Sequence, residues 1–390
     1  MKAIYHFLIV LVMGISLPTL SQGGNPKITH GPYLQDLSTN SVVLNWSTSV
    51  DCISWVEFYE EDGSNFYKQE RERKYNSEAG IMYVGTLHSI SLRNLKPNTR
   101  YAYRIYSREV TEDGYLGKCT ATKVYKKEPL YFTTLNPGKT DVTCVILSDL
   151  HEDAEKTGEL INGVNWKDTD FALLNGDFAN YFERESSIYN VIDTCVDIFA
   201  KEKPIYIVRG NHETRGAHAH ELNQYFHFPQ NKYYYTLLKG TTLFIVLDSG
   251  EDKPDSDKEY YGFADYDSYR TEQAEWLQTV IESEEFKNAR KRIVVMHIPP
   301  FINKSKYEWH GNVEVREKFV PILNKADIDL MICGHTHSYS FIEEKPGRNN
   351  FPIIITDNKS RLNLFSDKDA LKVRIYNTLS NGKAVESFEF

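Results

Sequence analysis

The 390-residue chain holds only five cysteines, and no two of them are spaced C-x-x-C. That excludes a disulfide-stapled scaffold and a cysteine-based zinc site. Positive charge is also short: 45 Lys and Arg face 54 Asp and Glu, for a formal net charge of −9. No broad cationic face is implied, so neither duplex nucleic acid nor an anionic membrane surface is an expected partner. A small anionic substrate remains compatible, because a bound cation reverses the field locally. Internal repeats and low-complexity tracts are absent, and long apolar runs are missing with one exception. That exception is residues 3–15, preceded by Met1 and Lys2 and followed by small residues up to Ser21. The run is shorter than the roughly 20 residues a spanning helix needs, and it reads as a cleaved secretory signal over residues 1–22. The expected protein is secreted or periplasmic, with no membrane span in its mature form. In such a compartment Cys52 and Cys119 could pair, whereas Cys144, Cys195 and Cys333 lie in apolar runs and read as buried thiols.

What is present divides the chain in two, as its length suggests. Over residues 25–134, apolar and polar residues alternate with period two: Val42, Leu44 and Trp46, then Ile90 and Leu92, then Tyr101, Tyr103 and Ile105. Turn signals at Asp62-Gly63 and Pro97-Asn98 punctuate them, and helical periodicity is absent. This predicts an all-β sandwich of about seven strands. Residues 135–140, with Asn136-Pro137-Gly138, read as a linker. From 141 to 390 short apolar runs (142–147, 171–174, 205–208, 243–247, 293–296 and 330–333) have the look of strands buried on both faces. Amphipathic segments at 188–199 and 276–281 separate some of them, which predicts an α/β layered domain. Strand signals return at 353–355, 373–376 and 385–390 and are expected to complete the second sheet.

Five of the apolar runs end in residues suited to metal binding. They lead to Asp149-Leu150-His151, to Gly176-Asp177, to Gly210-Asn211-His212-Glu213, to His297 and to Gly334-His335-Thr336-His337. Open α/β sheets gather ligands beyond the carboxyl ends of their strands, so these distant residues are expected to converge. Two Asp, one Asn and four His are too many for one ion and suit two ions sharing a carboxylate. The glycines allow a close approach of backbone to the site. Each motif alone has a plainer reading as a turn or a packed histidine. Their common position at strand ends favours the metal reading.

These motifs resemble the full set of the calcineurin-like metallophosphoesterases, from about residue 141 to 339. Residues 31–35, 43–46, 88–92 and 95–101 resemble the fibronectin III-like domain that precedes the catalytic domain of purple acid phosphatases. The resemblance implies a four-layer catalytic fold, two sheets flanked by helices, and two divalent metal ions (Fe, Mn or Zn). It assigns Asp149, His151, Asp177 and His337 to the first ion, and Asp177, Asn211, His297 and His335 to the second. It further implies phosphate-ester hydrolysis by a hydroxide shared between the ions, with His212 as general acid. Purple acid phosphatases usually have Gly where His151 stands and a ferric-iron-binding Tyr where Asn180 stands. His151 is therefore expected to replace that Tyr, giving two divalent sites and no purple colour. Glu213 is expected to orient its loop. Arg209, Arg215, Tyr181 and His310 are candidate contacts to a small phosphate-ester substrate, and Trp309 could stack on an aromatic leaving group. Monoester hydrolysis is the leading expectation, with phosphodiesterase or nucleotidase activity as the alternative. A reading of another class, an inactive secreted adhesion or binding protein, requires a missing ligand, and none of the seven is missing.

Overall fold

A computed structural model of the chain describes residues 26–302, 308–380 and 382–390; the expected signal peptide lies outside them. The N-terminal part is all β apart from one short turn of helix, Phe66–Lys68. Its organising element is the 19-residue strand Val42–Glu60. Residues 42–47 pair antiparallel with Gly85–Leu92, and residues 52–60 pair with Arg100–Glu112. One strand thereby serves both layers. The period-two apolar residues point into a common core: Val42, Leu44, Trp46, Ile90, Leu92, Tyr101, Tyr103 and Ile105 are all buried there. At about 25 cal/mol per Å² of apolar surface, this burial is what drives the layers together.

The C-terminal part is built from two six-stranded sheets. The first has the order Ile205–Val208, Phe171–Asn175, Val142–Leu147, Ser360–Ser366, Leu371–Asn377, Glu386–Glu389. Its first three strands run parallel, and the later ones join antiparallel. The second has the order Tyr235–Lys239, Thr242–Leu247, Lys291–Met296, Leu330–Cys333, Ile353–Ile355, Ser340–Ile342, with a parallel centre. Strand alternation sorts its residues between two cores. Phe244, Val246, Ile293, Val295, Leu330 and Ile332 pack inward with the first sheet. Leu243, Ile245, Leu247, Val294, Met296, Met331 and Cys333 pack outward with residues of the helices Tyr266–Glu282 and His310–Lys318. The helices Ala154–Asn162 and Ser186–Cys195 cover the other sheet with Leu160, Ile161, Ile188 and Val191. The result is the four-layer α/β fold expected from the motifs, behind an all-β sandwich.

The two parts are joined by specific contacts. Tyr33 donates its hydroxyl hydrogen to Tyr225 O. Lys239 Nζ donates to Leu37 O over 2.6 Å, and His30 stacks on Tyr189 while its Nδ1 lies 2.6 Å from Asp193 Oδ2.

Two expectations need correction. The C-terminal strands do not all finish one sheet: Ile353–Ile355 joins the second, while the three that follow extend the first, Ser360–Ser366 pairing antiparallel with Val142–Leu147. Ser360–Ser366 shows no apolar run in the sequence, because Asn363 interrupts it. Cys52 and Cys119 are both free. Cys52 stands opposite Glu109 and Cys119 opposite Val110, adjacent residues of one strand, so their side chains leave opposite faces of the sheet. Cys144, Cys195 and Cys333 are fully buried.

Candidate metal centre

The carboxyl ends of five strands, three from the first sheet and two from the second, bring the seven candidate ligands together. The structure forms two clusters that share Asp177: Asp149, His151, Asp177 and His337, and then Asp177, His297 and His335. Within each, the ligand atoms lie within 4.8 Å of one another. Asn211 joins the second through its Oδ1, 2.9 Å from His335 Nδ1. Across the first, His151 Nε2 is 3.0 Å from His337 Nε2, which is 3.3 Å from Asp149 Oδ1.

The backbone is contorted to achieve this. Asp149, His151, Asp177, His335 and His337 all have positive φ, between 48° and 73°. Left-handed backbone costs non-glycine residues about 1–3 kcal/mol each, and it persists where surrounding structure enforces it. The enforcement is visible. Glu213, fully buried, accepts backbone hydrogens from Asp177 (2.9 Å), Ala179 (2.8 Å) and Gly210 (2.8 Å). Thr356 Oγ1 lies 2.5 Å from Ser148 Oγ and donates to Cys333 O, bracing the strand ends before Asp149 and His335. Gly176 and Gly210 make room: a Cβ on the former would meet His297 Nδ1 at 2.4 Å, and on the latter Asp177 Oδ1 at 2.3 Å.

Electrostatics draw positive charge to this point. His297 donates from Nδ1 to Asn175 O over 2.7 Å, which aims Nε2 at Asp177 Oδ2, 2.9 Å away. That contact is close but not aligned as a hydrogen bond, and Nε2 is a buried nitrogen without a hydrogen-bond partner. Burial disfavours the imidazolium, yet Asp177, with Asp149 behind it, raises its pKa to about 10. Asp177 is pushed the other way: burial would raise its carboxyl, but His297 and His212 hold it well below the usual range. His335 is lowered to about 3 by burial and by the neighbouring His297. Buried carboxylates beside an unpartnered nitrogen, in a cradle that no Cβ would fit, suit divalent ions with Asp and His ligands.

The remaining candidates divide. His212 sits at the mouth, its Nδ1 donating to Asn180 O over 2.6 Å and its Nε2 3.9 Å from Asp177 Oδ2. Tyr181 is 50% exposed, with its ring 5.6 Å from that of His212. Arg209 and Arg215 are not free for phosphate. Arg209 is paired with buried Asp248 at 2.6 Å, and Arg215 is gripped by Glu251 at 2.7 Å and Asp252 at 3.2 Å. His310 Nε2 is likewise held by both Asp267 oxygens, at 2.9 and 3.0 Å. Glu314 completes a third acidic cluster with these two, but Arg270 and Lys318 already neutralise it. Trp309 does reach the centre: its ring meets that of His335 edge-on at 4.6 Å. Sequence reasoning missed Asn180 and Thr356 as supporting residues. Thr356 acts through a hydroxyl on a distant segment that no motif marks, and the contacts of Asn180 with His151 and His212 depend on loop geometry.

Comparison with known proteins agrees with this architecture. The sequence profile described as calcineurin-like phosphoesterase matches residues 142–339, and that described as purple acid phosphatase, N-terminal domain, matches residues 32–126. Purple acid phosphatase 21 of Arabidopsis thaliana is 23% identical over 268 residues, covering 65% of this chain and 53% of the relative. Purple acid phosphatase 22 of the same plant is 22% identical over 267 residues, with the same coverage. The chain thus spans about half the length of the curated relatives it matches. The structure of purple acid phosphatase PPD1 from yellow lupin seeds superposes with a TM-score of 0.68 at 15% identity, covering 92% of this chain and 73% of that one. With the larger profile spanning half of its length and all five motifs, the chain belongs to the calcineurin-like phosphoesterase family.

Proposed function

We propose that the protein hydrolyses phosphate monoesters at a centre of two divalent metal ions, Fe, Mn or Zn. Asp149, His151, Asp177 and His337 would hold one ion, and Asp177, Asn211, His297 and His335 the other. Bound there, the ions supply charge neutralisation for phosphoryl oxygens and activation of a water molecule near neutral pH. The observation that carries this reading is the meeting of six scattered donors in two clusters with one common carboxylate, with Asn211 beside the second.

The chain's own residues then have distinct tasks. His212 holds a proton for the leaving oxygen. Its Nδ1 hydrogen is committed to Asn180 O and its backbone N–H to Asp177 Oδ1 at 3.0 Å, so the ring is fixed with Nε2 free at the mouth. General acid catalysis of this kind contributes about 10²–10⁴-fold. Glu213 ties the Asp177 loop to the Asn211 loop, which keeps ligands from different strands in register. Trp309 and Tyr181, both partly exposed, lie beside His335 and His212 and would line the substrate cleft.

A second reading, phosphodiesterase or nucleotidase, draws support from His151, whose imidazole closes the first cluster. Turnover of an aryl phosphate, a bis-aryl phosphate and a nucleotide by the metal-loaded protein separates the two. Preference for the bis-aryl ester would reject the monoesterase reading. We further assign residues 1–22 to a cleaved signal, 25–134 to the fibronectin III-like sandwich and 141–390 to the catalytic domain, in a secreted or periplasmic protein. N-terminal sequencing of exported protein tests the cut after about residue 22.

A further inference from the structure

Asn180 touches both halves of the chemistry. Its backbone N–H donates to Glu152 Oε1 over 3.1 Å, and its side-chain Nδ2 donates to His151 O over 3.3 Å. The second bond fixes the amide's orientation, because a carbonyl oxygen accepts only from the NH₂ end. Oδ1 therefore faces His151 Nδ1, 3.1 Å away, and an oxygen acceptor there requires the hydrogen on Nδ1. His151 Nε2 is left as a lone pair, turned toward His337 Nε2 and the first cluster. The carbonyl of the same residue accepts the Nδ1 hydrogen of His212. The His151 and His212 rings meet edge-on, with centroids 4.8 Å apart.

We infer that Asn180 is a positioning residue that selects the metal-ready tautomer of His151 through its side chain, while its main chain independently fixes His212. This rests on the dinuclear reading above. A histidine ligand commonly has its second nitrogen hydrogen-bonded in this way, and losing such a partner costs about 10–100-fold in metal affinity. Asn180 is exposed, so water competes for these bonds and places the effect near the lower bound. The division of labour makes side chain and backbone separable. Shortening the side chain alters the first site and leaves the carbonyl that holds His212 in place.

The test is calorimetric titration of the metal-stripped full chain with Mn²⁺, in wild type, Asn180→Ala and Asn180→Asp. Asn180→Ala should weaken one of two binding steps by about tenfold and leave the other within about twofold. Asn180→Asp, which keeps an oxygen acceptor, should restore the step to within about threefold of wild type. With saturating metal, the ratio of alkyl to aryl phosphate turnover should stay at the wild-type value in Asn180→Ala, because His212 keeps its carbonyl partner. Two unchanged steps in Asn180→Ala, equal weakening of both with a lower melting temperature, or no rescue by Asp would each overturn the inference. A wild type that binds fewer than two ions would instead overturn the dinuclear reading, and this inference with it.

Discussion

His151 Nε2 and His337 Nε2 face each other across 3.0 Å, one from the strand end at 147 and the other from the strand end at 333. The pair joins the two sheets of the catalytic fold at one point. Neutral imidazoles favour divalent ions where a phenolate favours a trivalent one. Tyr181, the phenol next to Asn180 in sequence, packs its ring 5.6 Å from that of His212.

The iron-loaded protein should therefore be free of an intense visible absorption band. An optical spectrum of pure protein containing two equivalents of iron is sufficient. A strong band would place a tyrosine oxygen on the metal and remove His151 from its proposed role.

Asp177 is the carboxylate common to both clusters, and its replacement should be the most damaging change in the molecule. Asp177→Asn should lower kcat by more than about 100-fold, since even an outer partner of a ligand costs 10–100-fold. The variant should retain its circular dichroism spectrum. Steady-state assays at saturating Mn²⁺ would contradict the scheme if most activity survived.

His212→Ala should show dependence on the leaving group. An alkyl phosphate, which needs its departing oxygen protonated, should lose about 10²–10⁴-fold in kcat, and a nitrophenyl phosphate much less. Equal losses on both substrates would assign His212 to substrate or metal binding.

Exposure to a strong chelator should abolish hydrolysis, and Mn²⁺, Fe²⁺ or Zn²⁺ should restore it. Because the candidate ligands come from both sheets, loading should also raise the melting temperature of the α/β part of the chain. Restored activity without a thermal shift would indicate that the ions bind outside the clusters described.

The sandwich has its own pH signature. His88 is buried against Trp46, with Thr48 and Ser54 hydroxyls near its Nε2 and no partner for Nδ1. Burial lowers its pKa to about 4. The folded value lies below the unfolded value near 6.5, so the unfolded chain takes up the proton first. This contribution to stability is complete above pH 6.5 and is lost as pH falls toward 4. Between pH 7 and 5 it should amount to about 2 kcal/mol. Urea denaturation at the two pH values measures it, and His88→Gln should flatten that part of the slope. An equal slope in the variant would refute the assignment.

The fold and the positions of the candidate ligands at strand ends were legible in the sequence for one physical reason. A strand buried on both faces appears as an uninterrupted apolar run, and polar residues at its end stand out sharply. The end of each such run marked Asp149, Asp177, Asn211, His297 and His335. The same pattern overvalued Arg209 and Arg215, because proximity to a motif does not reveal a partner. Asp248 and Glu251, which occupy those guanidinium groups, follow another strand with no motif of its own. The sheet membership of the tail was hidden because strands of both sheets share one composition. Asn180 departs from the tyrosine of purple acid phosphatases, but its contacts with two histidines depend on loop geometry that no spacing encodes.

Thr356 gives the tail a part in holding the strand ends that carry Asp149 and His335. Its hydroxyl reaches Ser148 and Cys333, and the strand that follows lies along Val142–Leu147. The segment after residue 340 thus works as a clasp, closed only after all seven candidate donors have been synthesised. A protease cut between 340 and 355 would spare all seven candidate donors yet sever Thr356 from the chain that carries them.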